Sequence, residues 1–76
     1  MIDLAAIRRA AGLTQTEVAA NLGVGQAQVS KIERQDDMMI STLASYLAAL
    51  GVEANLVVQM GDQVVTYDLT ARKGKR

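Results

Sequence analysis

Residues 14–34 read TQTEVAANLGVGQAQVSKIER, and this pattern predicts two helices separated by a very short turn. Thr14 and Glu17 have the spacing of a capping box, in which each side chain hydrogen-bonds the backbone N–H of the other residue. The first of the two helices should therefore begin at Gln15. Gly23-Val24-Gly25 supplies the turn, and the second helix should run over residues 26–34.

The residues around this turn suit a helix-turn-helix, in which the second helix enters the major groove of DNA and the first braces it. Ala19 is small where the two helices must cross, and Gly23 tolerates the positive φ of a tight turn. Five apolar residues are placed to lock the pair against the rest of the domain: Val18, Leu22, Val24, Val29 and Ile32.

Two further helices flank this pair. Asp3 is a candidate N-cap for a helix over residues 4–11, which Gly12 should end. Ser41 is a candidate N-cap for a fourth helix, whose inner face should carry Leu43, Leu47 and Leu50. The sequence thus predicts four short helices within residues 3–50.

The hydrophobic period then changes from 3.6 to 2, which indicates a β-hairpin over residues 54–69. Glycine at the first position of Gly61-Asp62 suits a two-residue type II′ turn. This turn sets a register in which the facing pairs are Met60 and Gln63, Val58 and Val65, Leu56 and Tyr67, and Ala54 and Leu69. One face is then almost wholly apolar, and it must cover the helices, a second subunit or another protein.

Composition narrows the class of protein. The chain of 76 residues has neither Cys nor His, so most catalytic and metal-binding constellations cannot be built. We expect a single small domain that is not an enzyme and has no cofactor or small-molecule substrate. No apolar stretch approaches the length of a membrane span and no signal peptide is evident, so we expect a cytoplasmic location.

Charge and core size indicate how the chain associates. The formal net charge is zero, yet Arg72, Lys73, Lys75 and Arg76 concentrate positive charge at the carboxyl terminus. Phe and Trp are absent, so the core must be assembled from smaller side chains. A core of this size seldom stabilises a fold by more than about 3 to 5 kcal/mol, and self-association is therefore expected.

Residues 12–19, GLTQTEVA, and 29–33, VSKIE, resemble the XRE (Cro and phage-repressor type) helix-turn-helix family over residues 3–52. The resemblance implies base contacts from the recognition helix by Gln26, Ala27 and Lys31, with Gln28 beside them. Gln can bind adenine through two hydrogen bonds, Lys can reach guanine, and the Ala methyl can contact thymine.

The same resemblance implies an ion pair between Arg8 and Glu33 that joins the first and third helices. It also places Gln15 at a phosphate-contact position, where free amides and the helix dipole attract an anion. The full set of expected phosphate contacts is Thr14, Gln15, Ser30, Arg34 and Arg9.

Specific recognition by one helix requires two half-sites related by a dyad, so we expect a homodimer on a palindromic operator in double-stranded DNA. The hairpin is the candidate interface, with a shared core formed by Leu56, Val58, Val65, Tyr67 and Leu69. The expected organisation is a DNA-binding domain at 1–52, a dimerisation hairpin at 53–69 and a basic tail at 70–76. In the alternative, the hairpin covers only its own helices.

A minimal XRE domain followed by a strand pair is similar in layout to the HigA-like antitoxins of type II toxin-antitoxin operons. That similarity implies a repressor of its own operon that also neutralises a RelE/HigB-like toxin. A stand-alone phage or plasmid repressor is the first alternative. The second is an interaction module without DNA binding, which the zero net charge and the acidic Asp36-Asp37 loop favour.

Overall fold

A computed structural model of the protein describes residues 2–70. The elements, in chain order, are α1 (Leu4–Ala10), α2 (Gln15–Leu22), α3 (Gln26–Arg34), α4 (Ile40–Ala49), β1 (Asn55–Met60) and β2 (Gln63–Asp68). The mainly α fold with a carboxyl-terminal hairpin is thus confirmed. The basic residues of the predicted tail lie outside the described residues, and the division into three functional segments stays a prediction.

The helix starts follow from local capping. The Asp3 carboxylate accepts a hydrogen bond from Ala6 N at 3.0 Å at the start of α1. The predicted capping box of α2 is present, with Glu17 N donating to Thr14 Oγ1 at 3.1 Å and Thr14 N to Glu17 Oε1 at 2.9 Å. These hydrogen bonds satisfy N–H groups that a helix start would otherwise leave without a partner.

Two of the predicted helix limits are wrong. α4 begins at Ile40 with Met39 as N-cap, so Ser41 lies inside the first turn and does not cap it. The first turn is closed by the backbone, through Leu43 N donating to Met39 O at 3.1 Å. α1 ends at Ala10, one residue early, and Ala11 is an exposed C-cap.

The turn between α2 and α3 depends on Gly23, whose φ of 76° lies in the left-handed region. The N–H groups of Gly23 and Val24 both donate to Ala19 O, at 2.9 and 3.0 Å, which closes the end of α2. Gly25 then precedes α3 with extended backbone and no side-chain cap. The chain therefore reverses within three residues, and α2 packs directly against α3.

The buried core joins all four helices and consists of Leu4, Val18, Ala19, Val29, Ile32, Tyr46, Leu47 and Leu50. Most of these positions were predicted from periodicity. Val24 was also predicted to pack against the core, but this prediction is wrong, because 42% of Val24 is exposed. It occupies the middle of the turn, where the backbone leaves the core before α3 begins.

The hairpin has the predicted register, from Asn55 opposite Asp68 to Met60 opposite Gln63. Gly61 has a φ of 62°, and Asp62 does not have a positive φ, because every positive φ among residues 2–70 belongs to a glycine. A type II′ turn at Gly61-Asp62 requires this combination. Every residue of β1 and β2 is exposed, so the alternative that this sheet only covers its own helices is wrong. None of the helices within residues 2–70 has the length and apolarity needed to span a bilayer.

Candidate nucleic-acid interface

α3 presents one polar face to solvent and one apolar face to the core. Val29 is fully buried and Ile32 is 7% exposed, which anchors the helix. The four predicted base-contact residues are all exposed: Gln26, Ala27, Gln28 and Lys31. α3 is therefore held rigidly along one side while its candidate reading face remains open.

The amino terminus of α2 lies beside the first turn of α3. Gln26 Nε2 donates to Gln15 Oε1 at 3.1 Å. A residue predicted to contact a base is therefore hydrogen-bonded to a residue predicted to contact a phosphate. The Thr14 hydroxyl is occupied by the capping box. The N–H groups of Gln15 and Thr16 have no partner within the helix and remain the donors available to an anion.

The remaining predicted phosphate contacts lie on two helices. Arg34 Nη1 donates to Ser30 Oγ at 2.5 Å, so these two side chains form one polar group on α3. Arg9 is exposed on α1. No cluster of acidic residues suited to a metal ion occurs among residues 2–70.

Arg8 and Glu33 form an ion pair between α1 and α3, with Arg8 Nε 2.7 Å from Glu33 Oε2. Their side chains are only 11% and 5% exposed. Arg8 Nη1 also donates to Leu13 O at 3.0 Å, which ties the end of α1 to the following loop. The pair therefore joins two helices that are distant in sequence and fixes the orientation of α3 relative to α1.

Glu33 accepts hydrogen bonds from two further side chains. The Tyr46 hydroxyl donates to Glu33 Oε2 at 2.5 Å, and Gln15 Nε2 donates to Glu33 Oε1 at 2.9 Å. Since Arg8, Gln15 and Tyr46 belong to α1, α2 and α4, this one carboxylate on α3 connects α3 to every other helix.

These contacts change the pKa values of the group. Burial by itself raises the pKa of the Glu33 carboxyl, but the hydrogen bonds from Arg8, Tyr46 and Gln15 together lower it by more. Its net pKa is below the ordinary value, so Glu33 is ionised at neutral pH. Burial, and then the hydrogen bond to Glu33, raise the pKa of Tyr46, which therefore remains a neutral donor. The hydrogen bond to Glu33 raises the pKa of Arg8.

Tyr46 is the member of this group that the sequence analysis missed. It is fully buried, although its hydroxyl needs a polar partner. The signal was present in the spacing of Leu43, Tyr46, Leu47 and Leu50, which completes the i, i+3, i+4, i+7 pattern of one apolar helix face. Tyr46 is also the single aromatic residue of the helical half of the chain.

The hairpin exposes apolar side chains on both faces. On the predicted interface face, Leu56, Val58, Val65 and Tyr67 are 44%, 43%, 52% and 61% exposed. On the opposite face, Val57 and Val64 are 58% and 57% exposed. Leu69 is only partly exposed, and Leu69 N donates to Ala54 O at 3.0 Å. Apolar surface of this kind marks a site of protein association.

The fold and this surface define a class of protein, the helix-turn-helix proteins, and comparison with known families agrees. The family model described as "Helix-turn-helix" matches residues 4–57. The chain therefore belongs to the helix-turn-helix family, of the XRE type.

Particular relatives come from Mycobacterium tuberculosis. A protein named as the antitoxin HigA3 is 45% identical over 71 residues, which cover 90% of this chain and 63% of the relative. A protein named as the antitoxin HigA2 is 40% identical over 62 residues, which cover 79% of this chain and 61% of the relative. The chain thus spans about three fifths of the length of these curated relatives.

Two solved structures share the fold over nearly their whole length. The structure titled "DNA bound antitoxin HigA3" has a TM-score of 0.80 and 41% identity, with coverage of 99% of this chain and 97% of that chain. The structure titled "Induced DNA bending by unique dimerization of HigA antitoxin" has a TM-score of 0.76 and 43% identity. It covers 93% of this chain and 92% of that chain.

Proposed function

We propose that the chain is a sequence-specific DNA-binding repressor that acts in the cytoplasm as a homodimer on a palindromic operator. The observation that carries this proposal is the exposed polar face of α3, which the buried residues Val29 and Ile32 hold against the domain. A helix held in this way can enter the major groove as a unit. The solved relatives whose titles name bound DNA and DNA bending support the same reading.

Base recognition is assigned to Gln26, Ala27, Gln28 and Lys31. The test is a footprint and a mobility-shift titration of the purified chain on DNA from upstream of its own gene. Gln26→Ala and Lys31→Ala should each weaken binding to the preferred site on the order of tenfold or more. Gln59→Ala is the matched control, because Gln59 is an exposed Gln on β1.

Equal binding by wild type and by both α3 variants would contradict the assignment of α3 as the reading helix. Absence of any preferred site for the wild type would instead favour an interaction module without DNA binding.

Phosphate contacts are assigned to Thr14, Gln15, Ser30, Arg34 and Arg9. Neutralising a phosphate releases counterions, so affinity falls with salt in proportion to the number of such contacts. Arg34→Ala should lower the slope of log affinity against log salt by about one without changing the preferred site. A changed base preference in this variant would indicate that Arg34 reads bases.

Dimerisation is assigned to the hairpin face formed by Leu56, Val58, Val65, Tyr67 and Leu69. Joining two such hairpins about a two-fold axis gives a four-stranded sheet and covers the apolar face. The dimer must present its two α3 helices about one helical turn of DNA apart, roughly 34 Å.

Sedimentation of a paired set of variants tests this face. Val58→Glu places a charge in the proposed shared core and should give a monomer, because an unpaired buried charge is costly. Val57→Glu is the control, since Val57 has a similar size and exposure but lies on the opposite face. A monomeric Val57→Glu together with a dimeric Val58→Glu would move the interface to the other face.

We further propose that the chain is the antitoxin of a type II toxin-antitoxin pair, partnered by a RelE/HigB-like toxin. The support is its similarity to the antitoxins HigA3 and HigA2. The test is co-expression with a RelE/HigB-like toxin sought in the neighbouring reading frames, with growth rescue and co-purification as readouts. Rescue that persists in Gln26→Ala would separate neutralisation from DNA binding. Failure of both readouts would favour the stand-alone repressor.

A further inference from the structure

A chain of side-chain hydrogen bonds leads from the buried carboxylate of Glu33 to the exposed face of α3. Glu33 Oε1 accepts from Gln15 Nε2 at 2.9 Å, and Gln15 Oε1 accepts from Gln26 Nε2 at 3.1 Å. Its inner end is fixed, because Arg8 donates to both carboxylate oxygens and Tyr46 donates to Oε2. Its outer end is the first residue of the recognition helix.

The hydrogen bonds that join Glu33, Gln15 and Gln26 have a fixed order of donor and acceptor. An ionised carboxylate can only accept hydrogen bonds, so Gln15 must turn its amino group toward Glu33. The carbonyl oxygen of Gln15 then faces away from Glu33 and toward Gln26. Gln26 must in turn use one of its two N–H bonds to reach this oxygen.

The remaining groups of Gln26 are one N–H and its carbonyl oxygen. This is the donor and acceptor pair that binds N7 and the N6 amino group of adenine in the major groove. A Gln26 side chain without the anchor could rotate its amide and exchange the donor and acceptor positions. The anchor therefore selects one of two orientations before DNA arrives.

We propose that Glu33 is a positioning residue for base recognition, which acts through Gln15 to set the amide orientation of Gln26. Glu33 also has an architectural role through Arg8, whose Nε donates to Oε2 at 2.7 Å and whose Nη2 donates at 3.4 Å to Oε1, the oxygen that accepts from Gln15. The proposal rests on the proposed function, because it requires α3 to be the reading helix.

The test measures base preference, not affinity alone. The full chain is titrated against its preferred operator and against operators changed at the single base pair whose preference is lost in Gln26→Ala. The readout is the ratio of the two dissociation constants. This ratio reports orientation at Gln26, whereas loss of general stability lowers both affinities together.

Two variants interrupt the hydrogen-bond chain at different points. Gln15→Ala removes the link and leaves the contacts of Glu33 with Arg8 and Tyr46 in place. Glu33→Gln keeps the shape of the side chain but can present either its oxygen or its amino group to Gln15. Each variant should lower the base preference on the order of tenfold, within what one bidentate base contact supplies. The double variant should lose no more than either single variant, because both act through one path.

Asn21→Ala is the matched control. Asn21 is also an amide on α2, and its Nδ2 donates to Ala49 O at 2.9 Å, away from the Glu33 chain. Loss of this hydrogen bond should destabilise the domain, while the base preference stays at the wild-type value. Circular dichroism at the assay temperature verifies that each variant is folded. If Glu33→Gln does not fold, Glu33→Asp takes its place, because it keeps the charge opposite Arg8 but shortens the reach to Gln15.

An unchanged base preference in Gln15→Ala would overturn the proposal, and so would an unchanged preference in the folded Glu33 variant. An equal loss in Asn21→Ala would also overturn it, since preference would then follow stability. These outcomes differ from failure of the proposed function, in which wild type and Gln26→Ala show the same preference at every position.

Discussion

At Glu33, a single carboxylate accepts hydrogen bonds from side chains on α1, α2 and α4. A buried charge is costly to desolvate, and it is tolerated here because Arg8 neutralises it and the other donors saturate its oxygens. No buried side-chain oxygen or nitrogen among residues 2–70 lacks a partner. The small apolar core is therefore supported by a polar contact that links all four helices.

Removal of Arg8 should be strongly destabilising, because it leaves the Glu33 carboxylate buried without its counter-charge. We expect Arg8→Ala to cost about 3 to 5 kcal/mol and to lower the melting temperature by more than about 10 °C. Arg9→Ala is the control, since Arg9 is the neighbouring exposed residue and should change stability little. Equal melting temperatures for Arg8→Ala and wild type would contradict this assignment.

Acid should weaken the domain through the same carboxylate. The pKa of Glu33 is lowered in the folded state, so its contribution to stability is fully present above the ordinary glutamate pKa of 4.5, which the unfolded chain has. That contribution is lost as the pH falls through the lower, folded pKa, because the unfolded chain then binds the proton more tightly. Urea midpoints measured between neutral pH and about pH 3 should fall over this window. The part of the fall due to Glu33 should be missing in Glu33→Gln, and a midpoint that rises on acidification would contradict the sign.

At the scale of elements, the α2–α3 turn sets the angle at which α3 projects. The turn contains two glycines with different conformations: Gly23 has a φ of 76°, and Gly25 has a φ of −83°. A Cβ added at either position meets no atom within 4 Å. The two positions therefore differ in backbone conformation and not in available space.

This difference gives a paired prediction. Gly23→Ala should cost about 1–2 kcal/mol, because an L side chain strains left-handed backbone. Gly25→Ala should cost less, since its extended conformation is open to any residue and only the preference of the α3 N-cap for Gly over Ala opposes the change. Thermal or urea denaturation of both variants measures the difference. Equal losses would mean that the turn changes conformation to accept a side chain at Gly23.

The hairpin behaves differently from the helices as an element. Its register follows from the turn and from alternation along each strand, yet its strands bury none of their residues within residues 2–70. An isolated two-stranded hairpin is marginal in water, so its stability must come from association. The stability of the whole molecule should therefore depend on association through the apolar face of the hairpin.

At the scale of the whole molecule, folding and dimerisation should be coupled. A partner that binds only the folded chain stabilises it by mass action, so the melting temperature should rise with protein concentration. Calorimetric scans over a hundredfold concentration range measure this dependence. Val58→Glu should remove it while Val57→Glu keeps it, and a wild-type melting temperature independent of concentration would contradict a dimer.

Much of this architecture could be predicted from short stretches of sequence. The capping box at Thr14, the left-handed turn at Gly23 and the register set by Gly61 each depend on residues a few positions apart. Such interactions are local, and they operate before the chain is compact. The predicted start of α4 was wrong because it relied on a local signal, the capping residue type of Ser41. In the structure the helix begins after Met39, whose carbonyl oxygen accepts from Leu43 N.

The sequence by itself therefore determined the order of the elements, most of the core and the exposed face of α3. Tertiary structure alone decided that Gln15 and Tyr46 join Glu33, and that every residue of the two hairpin strands stays exposed. Gln15 and Tyr46 lie 18 and 13 positions from Glu33, and no local pattern links residues at such separations. They meet because helix packing fixes their positions, and a buried carboxylate then takes whichever donors that packing brings within reach.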